Sequence, residues 1–318
     1  MDVVFGYYEK GEKEMSYKEY LKIGLNHHLL YKNILSGPKD HFETLKEVVR
    51  EDRFEILDLW IPEEEPYKTE EIKLLRDSGK DIYYNVGTRK GKKSAQPCTV
   101  SLQKRKYSIE FYKDEISRGL EAGCKKIIAN SGSDIPDNRG EAFEALIDFF
   151  CEICRFVPDD VIVMVEPTDR DFDKKKFIGP SSDAVILAKR IHEAGCKNFA
   201  SMVDMCHLPL MGETINHAMS ISKGYMGHIH LGNCIMKDSQ NPLYGDKHPP
   251  WGLKDSEYDV DDIAKLLKIG IDTGYFSKGD RGSASFEMVA YEDMNPLKSI
   301  DRFFEYLEEA WKKVLQNI

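Results

Sequence analysis

The sequence lacks the features of a membrane or secreted protein. No stretch approaches the roughly 18 consecutive apolar residues that a membrane-spanning helix needs. The first residues contain neither a basic segment nor a long apolar segment, so we expect no signal peptide. The seven cysteines are odd in number and scattered, which is not the pattern of a disulfide framework. These absences predict a cytoplasmic protein with reduced thiols.

The sequence also lacks the usual features of nucleic-acid-binding and dinucleotide-binding proteins. Its 45 Lys and Arg residues are outnumbered by 55 Asp and Glu residues, which gives a formal net charge of −10. An acidic surface repels phosphate backbones, so nucleic acid is disfavoured as a partner. No Gly-x-Gly-x-x-Gly motif follows the first predicted strand, which argues against an open sheet of the dinucleotide-binding type.

What the sequence does contain is a regular alternation of short apolar runs and amphipathic segments. The predicted strands are residues 3–8, 54–61, 82–86, 126–130, 161–166, 200–204, 228–231 and 285–289. The predicted helices are residues 17–35 continuing to 49, 70–78, 110–122, 141–156, 182–194, 213–223, 261–273 and 297–314. Eight strand–helix units predict an α/β protein with a (β/α)₈ TIM barrel, and we expect residues 1–318 to form a single domain. An open doubly wound sheet is the alternative.

Two of the loops that follow predicted strands are long. Residues 88–107, after strand 3, contain seven basic residues, which makes this loop a candidate contact for a partner protein. Residues 233–258, after strand 7, are rich in Gly, Pro and Asp. Loops that follow barrel strands lie on the carboxyl-terminal face, where active sites occur, so we expect both loops near the site.

Residues of metal-ligating types end four consecutive predicted strands. They are Glu166, Asp204, His230 and Glu287. A charged side chain in an apolar strand is costly unless it is compensated, and in a barrel these four strand ends converge, so one divalent cation could compensate them together. The oxygen-rich set favours Mn²⁺ or Mg²⁺, with Co²⁺ and Zn²⁺ also able to bind. His228 shares the orientation of His230, but His230 lies nearer the strand end and is the preferred ligand.

Such a centre suits chemistry beside a carbonyl group. A metal on the carbonyl and a neighbouring hydroxyl would stabilise the enediolate that forms when a proton is removed. A carboxylate within reach can take that proton, and a second carboxyl group can return it on the opposite face, which gives epimerisation. The enolate can instead expel a group from the next carbon, which gives elimination.

The set resembles the xylose-isomerase-like sugar isomerase and epimerase barrels. Ketose 3-epimerases of that group have a Glu on strand 5, an Asp-x-x-His on strand 6, a His-x-His on strand 7 and a Glu on strand 8. The matching residues are Glu166, Asp204 with His207, His228 with His230, and Glu287. The resemblance implies that the two glutamates are both metal ligands and catalytic acid/base groups, and that His207 binds a substrate oxygen.

The loop after strand 7 departs from the epimerases. They carry an Arg soon after the strand-7 histidines, where this sequence offers only Lys237 as a substrate contact. The segment from Gly245 to Gly252, GDKHPPWG, is more similar to the catalytic subunit of bacterial C-glycoside deglycosidases. That resemblance implies a lyase that cleaves the sugar–aglycone carbon–carbon bond of a 3-oxo-C-glycoside, together with a small β subunit in a hetero-oligomer. The alternative function is a ketose 3-epimerase or sugar isomerase.

Asp246 and His248 within this segment have more than one interpretation. Asp-x-His could bind a second metal, as in the endonuclease IV barrels, but those need histidines on the early strands, and predicted strands 2 and 3 contain none. We expect Asp246 and His248 to contact substrate or relay a proton instead. Trp251 could stack on a sugar or an aromatic aglycone, or pack within the loop. A barrel that only binds a ligand or partner is the remaining alternative to an enzyme.

Overall fold

The structure is a computed structural model, and it describes residues 15–31, 34, 37–86 and 95–316. Eight strands alternate with helices along the chain. The strands are β1 (Leu21–Asn26), β2 (Ile56–Leu59), β3 (Asp81–Asn85), β4 (Lys126–Ala129), β5 (Ile162–Val165), β6 (Phe199–Asp204), β7 (Met226–Leu231) and β8 (Gly282–Phe286). The helices are α1 (His27–Leu30), α2 (Pro38–Val49), α3 (Tyr67–Asp77), α4 (Leu102–Glu121), α5 (Arg139–Phe156), α6 (Ser181–Glu193), α7 (His207–Leu210), α8 (Ile215–Ile221), α9 (Val260–Asp272) and α10 (Pro296–Leu315).

The eight strands form one closed parallel barrel in sequence order. The sheet closes where β1 pairs with β8, with Leu21 opposite Gly282 and Leu25 opposite Phe286. The predicted (β/α)₈ TIM barrel is therefore confirmed, and the open doubly wound sheet is wrong. None of the helices in the described part of the chain is long and apolar enough to span a membrane.

The first strand is not where the sequence pattern placed it. Residues 17–35 were expected to be helical, but Leu21–Asn26 form β1, and the helical turns that the structure describes before α2 are short, including the 3-10 turn Tyr17–Glu19 and His27–Leu30. The segment pairs with strands on both sides, and a side chain at Gly24 would meet Ser285 Oγ at 2.4 Å, so a glycine is needed for close packing. The predicted strand at residues 3–8 lies outside the described residues.

The loop after β3 is also shorter than expected. Helix α4 begins at Leu102, so the last three basic residues of the predicted loop, Lys104, Arg105 and Lys106, are helical. Residues 87–94, with the other four basic residues, lie outside the described residues. The loop after β7 is long, as expected, and runs from Gly232 to Asp259 without a helix or strand.

The barrel interior changes from apolar to polar along the strands. A buried apolar layer is formed by Ile56, Tyr83, Ile128, Met164, Ala200 and Met202. Two positions further along five of these strands, on the same face, stand polar residues: Asp58, Asn85, Asn130, Glu166 and Asp204. The apolar layer thus fills the middle of the barrel, and the polar layer collects at the carboxyl-terminal mouth.

Candidate functional site

The four predicted metal ligands converge at the carboxyl-terminal mouth. Glu166 and Glu287 directly follow β5 and β8, while Asp204 ends β6 and His230 is part of β7. One ligand atom from each residue lies within 4.8 Å of the others. His230 Nδ1 is 3.0 Å from Glu166 Oε1 and 2.5 Å from Glu287 Oε2. The arrangement gives three carboxylates and one imidazole around a single point.

The electrostatics of this cluster fit a divalent cation. Burial and the charge of Glu287 together raise the pKa of Asp204 to about 7, against the opposing effect of His207. Asp204 Oδ2 and Glu287 Oε2 are buried, and neither accepts a well-aligned hydrogen bond from the described residues. A ring nitrogen of His207 lies close to the first oxygen, and one of His230 lies close to the second. Buried carboxylate oxygens of this kind are costly unless a cation compensates them. Glu166, Asp204, His230 and Glu287 are therefore suited to hold one metal ion.

Asp58 supports the cluster from inside the barrel. Its Oδ2 lies 3.2 Å from Nε2 of both His228 and His230. Burial opposes its ionisation, but the two histidines lower the pKa of Asp58 to about 2, so it is a carboxylate that accepts their N–H groups. The contact leaves Nδ1 of His230 facing the other ligands, as expected of a metal-binding histidine held by an outer carboxylate. His228 instead joins Asp58 to Ser283 Oγ, 2.8 Å from its Nδ1.

Sequence reasoning missed Asp58 and Asn26. Asn26 donates from Nδ2 to Glu287 Oε1 over 2.7 Å and fixes that carboxylate. The signal for Asp58 was present, because it is a carboxylate within an apolar run, like the ligands that were identified. Asn26 gave no such signal, because it lies in the segment that was expected to be helical.

A second buried group of charged residues adjoins the cluster and is centred on Asp246. Asp246 Oδ1 is 2.8 Å from His248 Nε2 and 3.6 Å from His207 Nε2, while Lys174 Nζ is 2.8 Å from Oδ2. Burial alone would favour the neutral forms, but His207 and His248 hold the pKa of Asp246 well below its usual range. The neighbouring carboxylates in turn raise the pKa of His248 to about 9 and that of His207 well above its ordinary value. Asp246 is therefore an anion surrounded by cations.

This second group meets the geometric requirement for a metal site, with Cys206 as a fourth member. Its charge balance is different from that of the first cluster. Asp246 is already matched by the Lys174 ammonium and two histidines, so a cation is not needed to compensate it. The charge balance therefore favours ion pairing of Asp246 and His248 over a second metal.

The loop that carries His248 is fixed against strand β8. Val289 N donates to the carbonyl of His248, and His248 Nδ1 is 3.1 Å from the carbonyl oxygen of Glu287. Trp251 is fully buried, donates to the carbonyl of Gly232 and packs against Phe286. Of its two interpretations, packing within the loop is therefore correct, because the buried ring is not available to stack on a sugar.

A cavity of about 460 Å³ opens above both groups. Glu166, His207, Asp246, His248 and Glu287 all line it, as the sequence analysis expected of site residues. Lys237 does not, because its Nζ donates to the carbonyl of Ser256 at 2.8 Å and lies 3.5 Å from Glu257. The structure thus does not bring Lys237 together with the other predicted site residues, and its contact with substrate stays a prediction.

Other residues that line the cavity, and that the sequence did not single out, include His28, Lys174 and Lys176. Burial lowers the pKa of His28 to about 4, so it is a neutral imidazole at pH 7. The two lysines lie on the loop after β5, in the stretch DKKK, which looks like any solvated charged segment in the sequence. Their role depends on where the loop folds, and that was not visible from the pattern.

Residues 64–277 match the family model described as a xylose isomerase-like TIM barrel. No curated protein matches the chain by sequence. Three solved structures illustrate the similarity in fold. A D-tagatose 3-epimerase-like protein is 14% identical, with a TM-score of 0.66, covering 92% of this chain and 100% of that chain. A 3-keto-D-glucoside 4-epimerase from E. coli is 15% identical, with a TM-score of 0.60, covering 91% and 99%.

An AP endonuclease, family 2, from Brucella melitensis is 17% identical, with a TM-score of 0.63, covering 90% of this chain and 99% of that chain. At these identities the similarity to solved structures concerns the fold alone. The family model matches more than half of the chain, and it agrees with the resemblance drawn from the strand-end residues. The chain therefore belongs to the xylose isomerase-like TIM-barrel family.

Proposed function

We propose that this protein is a divalent-metal-dependent lyase that removes the proton beside the ketone of a 3-oxo-C-glycoside and eliminates the aglycone. The observation that carries the proposal is the Asp246 group, which stands in the same cavity as the carboxylate cluster. Epimerisation needs groups that take a proton and return it. Elimination also needs positive charge and a proton at the leaving group, which a second cationic group supplies.

Glu166, Asp204, His230 and Glu287 would hold the metal, with Mn²⁺ the expected ion. When bound, the metal supplies electrophilic stabilisation of the negative charge that develops on the substrate oxygens. Asp58 and Asn26 act on the protein side, because they orient His230 and Glu287 through the hydrogen bonds described above.

Glu166 and Glu287 are the proposed acid/base groups. They approach His230 Nδ1 together and both line the cavity. The side chain of Glu166 is 18% exposed and that of Glu287 is 8% exposed, so Glu166 is the more accessible to substrate. Burial opposes the ionisation of Glu287, but His230 and His248 hold its pKa low, so Glu287 is a weak base. Because Glu166 is the more accessible carboxylate, we assign the first proton transfer to Glu166.

The Asp246–His248 pair is the proposed source of the leaving-group proton. With a pKa of about 9, His248 is protonated at neutral pH. Its Nδ1 lies 4.0 Å from Glu287 Oε2, on the side of the carboxylate cluster. The N–H group there now bonds to the carbonyl of Glu287 over 3.1 Å, and a substrate oxygen could replace that carbonyl. His207 adds a second positive charge at the same wall of the cavity.

The cavity volume also suits a glycoside that retains its aglycone. About 460 Å³ falls within the range of roughly 300–1,000 Å³ that is typical of sites for ligands larger than a single sugar ring. One protein of similar fold is named a 3-keto-D-glucoside 4-epimerase, and the substrate in that name is an oxidised glucoside. An oxidised glycoside is thus a substrate class that this fold can accommodate.

The direct test is to incubate the Mn²⁺-loaded protein with a 3-oxo-C-glucoside and to follow aglycone release by chromatography. We expect release by the wild type and none by the Glu166→Gln variant. Because the proposed relatives act with a small β subunit, the protein should be tested both alone and with any small protein that co-purifies with it. Intact 3-oxo-C-glucoside under all these conditions would refute the lyase.

A ketose 3-epimerase is the second candidate, favoured by the pair of glutamates that flank one ligand histidine. The same sample in deuterated water distinguishes the two functions. Deuterium incorporated at C3 of fructose or tagatose, with no aglycone released from the glycoside, would favour the epimerase over the lyase.

A further inference from the structure

The wall of the cavity formed by the loop after β5 is positively charged. Lys174 and Lys176 line it, and Lys247 adds a third ammonium group from the loop after β7. Lys174 is matched by Asp246, 2.8 Å away. A positive wall is unusual in a chain with a formal net charge of −10. It therefore has to be asked which anion pairs with Lys176 and Lys247.

Lys176 is held on a well-anchored segment. Its backbone N–H donates to the carbonyl of Asp169 at 2.9 Å, and the next residue, Phe177, donates to the carbonyl of Gly132 at 3.0 Å. The fully buried carboxylate of Asp169 accepts the backbone N–H groups of residues 172, 173 and 174 at 2.6–2.8 Å. The loop is therefore folded around Asp169, and the backbone from which the Lys176 side chain extends is held in place before any ligand binds.

Lys176 has no carboxylate within ion-pair distance among the residues that the structure describes. Burial lowers its pKa, and the nearby charge of Lys174 lowers it further. A half-buried ammonium group that lacks a counter-ion is energetically unfavourable, so an anion at this point would relieve the cost. The carboxylates of the same cavity cannot serve, because Asp246 is paired and Glu166 and Glu287 belong to the metal cluster.

We infer that Lys176, assisted by Lys247, forms a subsite for an anionic oxygen group of the substrate, either a carboxylate on the sugar or a phenolate on the aglycone. The inference rests on the proposed function in that it identifies the class of substrate for the same cavity. It adds that the substrate carries a negative charge away from the reacting ketone. Charge-assisted hydrogen bonds of this kind contribute about tenfold or more in affinity.

Binding measurements test the subsite without requiring turnover. Titration calorimetry would compare D-glucuronate with D-glucose, and 4-nitrophenolate with 4-nitroanisole, on Mn²⁺-loaded and on metal-stripped protein. We expect one anion to bind about tenfold more tightly than its neutral partner, in both metal states, with an affinity that falls as salt is raised. The pair that shows the preference identifies the sugar or the aglycone as the charged part.

Matched variants assign the preference to Lys176. Lys176→Met should abolish it and Lys176→Arg should retain it, while Lys175→Met, at an exposed neighbour that does not line the cavity, should leave it unchanged. If Lys176→Met does not fold, Lys176→Gln and the salt dependence of the wild type give the same answer.

Two results would overturn the subsite. One is wild-type protein without a preference for either anion, and the other is an equal preference in Lys176→Met, which would assign the anion to another group. A wild type that prefers the anion but never releases aglycone would leave the subsite standing and remove the elimination reaction.

Discussion

Glu287 is a proposed metal ligand that also contacts Asn26 and His230. Its Oε1 accepts from Asn26, and its Oε2 lies 2.5 Å from His230 Nδ1. Glu287→Gln removes one negative charge and one ligand, so we expect metal affinity to fall more than about 100-fold and aglycone release to be lost. Metal content after dialysis and the release assay measure both effects. Glu193→Gln, at an exposed glutamate on α6, is the control, and a Glu287→Gln protein with normal metal content would exclude Glu287 as a ligand.

Asp58 lies inside the barrel and orients His230 through a hydrogen bond. An Asn at this position cannot accept from His228 and His230 as a carboxylate does, so His230 loses its fixed orientation. We expect Asp58→Asn to lower metal affinity about 10- to 100-fold, with the four ligands still in place. Metal titration measures the change, and thermal unfolding shows whether the fold is kept. Unchanged affinity in a folded variant would mean that Asp58 only fills the core.

His248 should set the alkaline limit of activity. Its pKa is raised above the ordinary value to about 9, so the residue is protonated at pH 7 and loses its proton as the pH rises through 9. Because we propose that the leaving group takes its proton from the Asp246–His248 pair, we expect kcat/KM for aglycone release to fall above about pH 9. In His248→Gln the rate should be about 10²- to 10⁴-fold lower and this alkaline limb should disappear. A limb at the same pH in the variant would assign it to another group.

The site residues that the sequence identified have a common signal. Glu166, Asp204, His230 and Glu287 each interrupt or end an apolar run, and burial of charge in such a run needs a physical reason. Lys174 and Lys176 were missed because a lysine-rich loop is ordinarily solvated, and only the folding of the loop around Asp169 brings them to the cavity. Lys237 was expected there from its sequence position alone, and the loop directs it to Ser256 and Glu257 instead.

At the scale of elements, the loop after β5 depends on one buried side chain. Asp169 accepts three backbone N–H groups, and Asn offers only one acceptor oxygen in their place. We expect Asp169→Asn to destabilise the protein by about 1–3 kcal/mol and to increase amide hydrogen exchange at residues 172–174. The anion preference assigned to Lys176 should weaken in the same variant. Unchanged exchange at these three amides would show that the loop is held by other contacts.

The first strand, β1, could not be predicted from the pattern of apolar and polar residues. Apolar and polar residues from Tyr17 to Leu30 fit a helix about as well as a strand, and no property of this segment alone decides between them. The strand conformation is determined by β2 and β8, which form backbone hydrogen bonds with both edges of Leu21–Asn26. The other seven strands were predicted to within a few residues, because each is a short apolar run followed by a turn or helix signal.

At the scale of the whole molecule, the barrel itself could be predicted from alternation. Eight strand–helix units with ligand residues at successive strand ends are consistent with few other architectures. The positive charges of the cavity at Lys174, Lys176 and Lys247 could not be predicted in this way, because they are contributed by the loops after β5 and β7, whose paths depend on tertiary contacts. These charges therefore lie where sequence patterns are least informative.

We propose that one metal ion at Glu166, Asp204, His230 and Glu287 is required for removal of the proton beside a ketone. The most direct measurement is to strip the protein of metal, add Mn²⁺ in steps, and record bound metal and aglycone release from a 3-oxo-C-glucoside together. We expect release to be absent without metal and to rise in proportion to occupancy, with a plateau at one equivalent. Release by stripped protein, or release that needs two equivalents, would contradict a single-metal centre.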